Sequence, residues 1–174
     1  MQRAISILTI CLLIFATTSS FATGGAHFFS AGASVNSAGA LDVHFDEAGL
    51  GNISGSVAYS LNADSRALYG CINGGGNHPS ASNKEEAAGP VSATGDFTPT
   101  KNGRVIASLN AGPIASTLAC PGGQTFALIA VRYCNITLTD TTNNESAAGV
   151  LSPTDTGTFV LVAIKGGVAP LACP

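Results

Sequence analysis

The 174-residue chain has no tryptophan, one methionine and few charged side chains, with seven Lys and Arg against ten Asp and Glu. Binding of nucleic acid through counterion release needs an excess of cationic side chains, so the net charge of −3 excludes that class of partner. Sugar sites built on flat aromatic faces are disfavoured, because only three tyrosines accompany the missing tryptophan. These absences narrow the function without naming it.

Long apolar runs are also missing, apart from one short run near the start of the chain. Residues Ala4 to Ala16 are apolar and follow the basic Arg3, and Ser20 and Ala22 then place small residues before a cleavage point. The run is shorter than the ~20 residues that span a bilayer. The sequence therefore predicts a signal peptide over residues 1–22, no integral membrane segment after its cleavage, and a secreted or cell-envelope location.

The cysteines contain no C-x-x-C spacing, which argues against a zinc site or a thioredoxin-like redox pair. Four cysteines remain beyond residue 22, and an even number in an exported chain predicts two disulfides with three conceivable pairings. Cys71 and Cys120 each lie beside a turn sequence, which favours their pairing at one rim of the fold. Cys134 then pairs with Cys173, which would hold the C-terminal tail.

Long helical patterns are absent as well, because all 21 glycines and eight prolines fall after residue 22. The chain instead shows short alternating segments bounded by turn residues, which predicts an all-β fold. We expect an immunoglobulin-like antiparallel β-sandwich of about 7–9 strands over residues 40–174, preceded by a flexible Gly/Ala/Ser-rich segment over residues 23–39. The expected strands are Leu41–Asp46, Ile53–Leu61, Arg66–Ile72, Val91–Phe97, Arg104–Leu109, Thr125–Asp140 and Thr158–Ile164.

Three segments carry more detailed expectations. In Thr125–Asp140, one face should hold a buried set that Arg132 interrupts, so a bulge or a change of sheet is expected there. Thr158–Ile164 is almost continuously apolar, which predicts a strand covered on both faces. Ser80–Gly89 fits either a short helix or an exposed loop that enters a strand. The buried set in the first segment is Phe126, Leu128, Ala130, Cys134, Ile136 and Leu138.

Short glycine-rich motifs give a resemblance to a known kind of protein. They are GLGN at Gly49–Asn52, Cys71-x-Asn73-x-Gly75-Gly76 followed by Pro79 and Asn83-Lys84, and Cys120-Pro121. In these motifs the chain resembles a loosely defined group of small, uncharacterised exported bacterial β-sandwich proteins. The resemblance implies export and a β-sandwich, and it implies nothing about activity.

Catalytic signatures are missing from the chain. No G-x-S-x-G elbow is present, and the glycine run at Gly74–Gly76 lacks the G-K-[ST] of a phosphate loop. Asp42, His44 and Asp46 alternate on one strand, so their side chains share a face with ~7 Å between neighbours. That face either holds a metal, with Glu47 and His78 as further ligands, or is simply the solvent side of the strand.

We therefore expect an exported protein without enzymatic activity, which acts by binding or as a structural component of the cell surface or matrix. No cofactor is expected, and the ligand and partners are unknown. The alternative is a metal-binding protein or metal-dependent enzyme that uses Asp42, His44 and Asp46. A secreted hydrolase whose site leaves no readable motif is the third hypothesis.

Overall fold

A computed structural model describes residues 25–51, 54–73 and 83–174, so the predicted signal peptide over 1–22 lies outside the described residues. Strands dominate the described chain, which also contains a 3-10 turn at Ala147–Gly149. The strands are β1 (His27–Val35), β2 (Leu41–Ala48), β3 (Val57–Ile72), β4 (Lys84–Phe97), β5 (Val105–Ala111), β6 (Thr125–Asp140), β7 (Glu145–Ser146), β8 (Leu151–Ser152) and β9 (Phe159–Val160).

The strands form two sheets packed face to face, which confirms the predicted β-sandwich. Sheet A has the order β5-β2-β1-β8, and sheet B has the order β4-β3-β6-β7 with β9 also paired to β6. All pairings are antiparallel except that of β1 with β8. In the described residues no helix has the length and apolarity to cross a bilayer.

The core lies between the sheets and follows from strand alternation. Leu41, Val43 and Phe45 of β2 are fully buried, as the sequence pattern predicts for a half-buried strand. The Phe45 ring lies 4.7 Å from the ring of Tyr59 in β3, with Phe28 and Phe97 packed against the same pair. A small aromatic cluster thus joins both sheets.

Sheet B is longer than sheet A, because β3 and β6 each have 16 residues whereas β1, β2 and β5 have nine, eight and seven. One end of sheet B is therefore not covered by sheet A, and residues 112–120, which connect β5 to β6, lie across that end. Its Ile114 carbonyl accepts a hydrogen bond from the Tyr69 hydroxyl over 2.7 Å, and Glu85 accepts one from Ser116 over 2.7 Å. A Cβ at Gly89 would lie 2.8 Å from the end of the Ile114 side chain, so any larger residue there would have to displace that side chain.

The C-terminal segment, which we define as residues 161–173, covers part of the outer face of sheet B. Ile164 and Leu171 are buried there against Ile129 and Ala130 of β6, which form a second, smaller apolar cluster. Arg132 donates a hydrogen bond of 2.6 Å to the Leu171 carbonyl. The segment is therefore packed and hydrogen-bonded onto the sheet.

Both predicted disulfides are present. Cys71 at the end of β3 is bonded to Cys120, with 5.4 Å between their Cα atoms. Cys134 in β6 is bonded to Cys173 with a Cα separation of 5.9 Å. The first bond fixes the connection over residues 112–120, and the second fixes the C-terminal segment.

Two segments differ from the prediction in their secondary structure. The region over 23–39, expected to be flexible, contains β1, whose nine residues pair along β2. Residues 84–89, expected to be a helix or a loop, begin β4 and pair with β3, whereas 80–82 lie outside the described residues. In both cases pairing with a neighbouring strand decides the conformation, and local sequence preference does not.

The two strands expected at Ile53–Leu61 and Arg66–Ile72 are one continuous strand, β3, and Ile53 lies outside the described residues. Polar Asn62 and Asp64 continue the alternation on the outer face, so they do not end the strand. The prediction that Thr158–Ile164 forms a strand covered on both faces is wrong. Only Phe159 and Val160 pair there, and both are substantially exposed.

Two bulges in β6 change which side chains face the core. The positions of β6 that face the main core switch between even and odd residue numbers twice. They are Leu128, then Val131 and Tyr133, and then Ile136 and Leu138. The changes match register shifts in the β3–β6 pairing opposite Leu68/Tyr69 and Asn62/Asp64. Arg132, where the bulge was expected, pairs regularly with Arg66.

The bulges correct the predicted buried set. Leu128, Ile136 and Leu138 do face the main core, but Ala130 belongs to the cluster under the C-terminal segment. Phe126 is 47% exposed and stacks on Tyr69 with ring centroids 5.3 Å apart, so its predicted burial is wrong.

Candidate functional site

The predicted metal-binding residues lie on the outer face of sheet A. His44 is exposed and its Nδ1 lies 3.1 Å from the Ser108 hydroxyl of β5, while Asp42 is half-buried. One carboxylate oxygen of Asp42 is buried and has no hydrogen-bond partner within the described chain. The three residues share a face, as the alternation predicts.

Asp46 is occupied by an ion pair with Arg104, the residue that precedes β5. Arg104 donates from Nε to one carboxylate oxygen over 2.7 Å and from Nη2 to the other. These hydrogen bonds lower the pKa of Asp46 below its usual value. The Arg104 guanidinium also lies 5.6 Å from the ring of Phe29, which is the bulged residue of β1.

Metal-ligating atoms do not converge at this face. In the described ranges, one group of three such atoms comes within 4.8 Å of one another, and it consists of Cys134, Asp155 and Cys173. The two cysteines are joined in a disulfide and are therefore not thiolate ligands. His78 and the Gly74–Gly76 run lie outside the described residues.

A cleft of about 370 Å³ opens beside the Cys134–Cys173 disulfide. It follows β6 where that strand changes neighbours: β7 pairs at Thr139, and the Thr154 carbonyl accepts a hydrogen bond from the Ile136 N–H over 3.1 Å. Its walls come from β6, the 3-10 turn, β8 and the residues after β8. The lining residues are Cys134, Asn135, Ile136, Thr137, Ser146, Ala148, Leu151, Thr154, Asp155 and Cys173.

A bulge shapes this cleft. Asn135 has a φ of +52°, in the left-handed region, and its side-chain amide donates to Asp64 over 2.7 Å. This conformation rotates β6 between Cys134 and Ile136, so Ile136 is buried while Thr137 is exposed. The parity break at Arg132 was a signal that β6 is irregular, but nothing in the sequence placed a cleft there.

The cleft offers hydrogen-bonding groups on a largely apolar surface. Within the described chain, the hydroxyl groups of Thr137 and Thr154 make no hydrogen bond. Asp155 is held by Arg132 through two hydrogen bonds and accepts a third from the Gly157 N–H over 2.8 Å. The Arg132 pair lowers the pKa of Asp155, so this carboxylate stays ionised and partnered.

Glu47 was expected as a further metal ligand beside Asp46, but it faces the core. Its side chain is fully buried and accepts a hydrogen bond of 2.5 Å from the Tyr59 hydroxyl. The alternation that buries Leu41, Val43 and Phe45 continues to this position, so the parity of β2 was the signal that sequence reasoning missed. Asp140, at the end of β6, is fully buried beside it.

Comparison of the chain with known protein families, curated proteins and solved structures finds no match. The resemblance to exported bacterial β-sandwich proteins therefore stays a prediction.

Proposed function

We propose that the protein is an exported binding domain, secreted or held at the cell envelope, that acts without catalysis through the cleft beside Cys134–Cys173. Export is supported by the two disulfides, because such bonds persist in oxidising compartments outside the cytosol. Residues 1–22 have the composition of a signal peptide.

One observation carries the proposed mode of action. Asp155 is the only acidic or basic side chain among the lining residues of the cleft, and Arg132 already neutralises it. General acid–base or nucleophilic catalysis needs a free titratable group or an activated nucleophile within reach of the substrate. The cleft supplies neither, whereas a volume of about 370 Å³ falls within the range of small-molecule sites.

The chemistry of the lining indicates the class of ligand. An apolar surface edged by the hydroxyls of Thr137 and Thr154 suits an uncharged ligand that has an apolar body and a few hydrogen-bonding groups. The absence of aromatic side chains from the lining disfavours a sugar ring. An apolar amino-acid side chain flanked by peptide groups has the required character.

The experiment is an amide NMR titration of the mature protein with N-acetyl-leucinamide, and with methyl glucoside as the polar comparison. We expect saturable shifts at Thr137, Ala148 and Thr154 with the first compound and none with the second. Ala148→Leu should abolish the shifts by filling the cleft, whereas Ala88→Leu, on exposed β4, should preserve them. Non-saturable shifts, or hydrolysis of the probe, would refute the proposal.

A further inference from the structure

Two carboxyl groups from opposite sheets meet inside the protein. Glu47 lies near the end of β2 in sheet A, and Asp140 is the last residue of β6 in sheet B. Both side chains are 0% exposed. Buried carboxyl groups are costly unless hydrogen bonds or opposite charges compensate them, so the partners of each group decide its protonation.

Asp140 has donors for both of its carboxylate oxygens. Oδ1 accepts hydrogen bonds from the backbone N–H groups of Thr142 and Asn143 over 2.8 and 3.0 Å. Oδ2 accepts one from the Asn143 side-chain amide over 2.6 Å. Both carboxylate oxygens of Asp140 are therefore satisfied as hydrogen-bond acceptors. Asp140 thereby also shapes the turn that follows β6.

Glu47 has a donor for one oxygen only. The Tyr59 hydroxyl donates to Oε2 over 2.5 Å, whereas Oε1 is buried and has no donor within the described chain. Among the described residues, the charged or titratable groups that act on Glu47 are Tyr59, Asp140 and Glu145, and none of them is cationic. An ionised Glu47 would therefore place a second negative charge beside Asp140 without compensation.

We propose that the folded protein holds one proton between Glu47 and Asp140, carried on Oε1 of Glu47, and that this proton joins the ends of the two sheets. The protonated Oε1 then donates to Asp140 while Oε2 still accepts from Tyr59, so every oxygen in the group has a partner. Loss of the proton leaves two buried carboxylates in contact, and their repulsion weakens the contact between the two sheets. The stability of the folded protein thus depends on pH through this pair of carboxyl groups.

The direction of the response follows from the two states of Glu47. The pKa of Glu47 rises from 4.5 to about 7, chiefly because the group is buried; the Tyr59 hydrogen bond opposes this rise, and the neighbouring Asp140 contributes to it. Between these values the folded protein keeps a proton that the unfolded chain releases. The stabilisation that this proton provides is complete below pH 4.5 and is lost as the pH rises through about 7.

The experiment measures denaturant unfolding of the mature protein from about pH 5 to about pH 8. Over this range, one linked proton changes the unfolding constant up to about tenfold per pH unit. Glu47→Gln keeps the shape and can still donate to Asp140, so its unfolding constant should lose this pH dependence. Asp96→Asn, which removes an exposed carboxylate on β4, should keep it. Equal pH dependence in the wild type and Glu47→Gln would overturn the proposal.

Infrared spectroscopy of the wild-type protein gives a second measurement that needs no variant to fold. The C=O stretch of a protonated carboxyl group should persist below about pH 7 and vanish above it. Tyr59→Phe removes the hydrogen bond that favours ionisation, so the midpoint should move to higher pH, which a purely structural role would not cause. The absence of a carboxyl band that titrates near neutral pH would refute the shared proton.

Discussion

The hydroxyl group of Tyr133, in the middle of β6, donates a hydrogen bond of 2.7 Å to the carbonyl oxygen of Gly39, in the turn between β1 and β2. The bond crosses from sheet B to sheet A, and the tyrosine is fully buried. Gly39 has a φ of +82°, and a Cβ there would lie 2.4 Å from a methyl carbon of Leu128. The left-handed backbone favours glycine at this position, and any Cβ there would also have to displace the Leu128 side chain.

Tyr133→Phe should destabilise the protein by about 1–3 kcal/mol, because it leaves the buried Gly39 carbonyl without this donor. The measurement is urea-induced unfolding, in which the midpoint should fall while the slope stays constant. Ser92→Ala, an exposed substitution on β4, serves as the control and should leave the midpoint unchanged. An unchanged midpoint for Tyr133→Phe would mean that water or another donor replaces the hydroxyl.

Leu138→Ala and Phe126→Ala test the bulges in β6. Leu138 is 1% exposed, so its truncation should cost about 2–5 kcal/mol through lost burial and a cavity. Phe126 stacks on Tyr69 at the rim, so its removal should cost only about 0.5–1.5 kcal/mol. Thermal or urea unfolding of both variants measures the difference. Equal costs would contradict the register described for this strand.

Removal of either disulfide should lower the melting temperature strongly. The bonds close loops of 49 and 39 residues, which corresponds to about 4 kcal/mol each in the chain-entropy model. Paired Cys→Ser substitutions, followed by calorimetry, compare the two. Peptide mapping of unreduced wild-type protein provides the control for the pairing. If the reduced protein melts at the oxidised temperature, the apolar core alone stabilises the fold.

Zinc, copper and calcium should leave the melting temperature unchanged, because Arg104 occupies Asp46 and, among the described residues, the ligand atoms on this face do not converge. Thermal-shift measurements with each metal, compared with a chelator-treated sample, test this expectation. Asp42→Ala is the matched variant, since it removes the residue on this face whose Oδ1 has no hydrogen-bond partner among the described residues. A metal-dependent rise that Asp42→Ala abolishes would support the metal-binding alternative instead.

Asp46→Asn should cost less than about 1 kcal/mol near neutral pH, because about half of the Arg104 side chain that pairs with it is exposed to solvent. Arg104 lowers the pKa of Asp46. The contribution of the pair to the free energy of unfolding is therefore present above pH 3.8 and disappears as the pH falls further. Unfolding of wild type and Asp46→Asn at neutral and at acidic pH measures it. The two proteins should converge in acid, and a difference that grows there would contradict the pairing.

The sequence predicted what depends on regular alternation and on cysteine number. Leu41, Val43 and Phe45 are buried as their spacing indicates, and Cys71 and Cys120 meet at a rim as their turn sequences suggest. Pairing between distant strands could not be predicted in the same way. Residues 84–89 locally fit either a short helix or a loop, yet their partner in β3 makes them a strand.

The candidate cleft escaped prediction for a related reason. It forms where residues from β6 and from the segment after β8 approach each other, and Thr137 and Thr154 are 17 positions apart in the chain. Local patterns do not report such proximity. The Glu47–Asp140 contact was similarly hidden, because it joins side chains from different sheets.

If the chain is exported as proposed, the positions of the two disulfides also constrain the order in which it can be oxidised during export. A chain that emerges N-terminus first presents Cys71, Cys120 and Cys134 before the C-terminal segment with Cys173 becomes available. During that interval three thiols compete for one bond. Early pairing of β3 with the connection over residues 112–120 would resolve the competition, because closing Cys71–Cys120 leaves Cys134 with a single remaining partner.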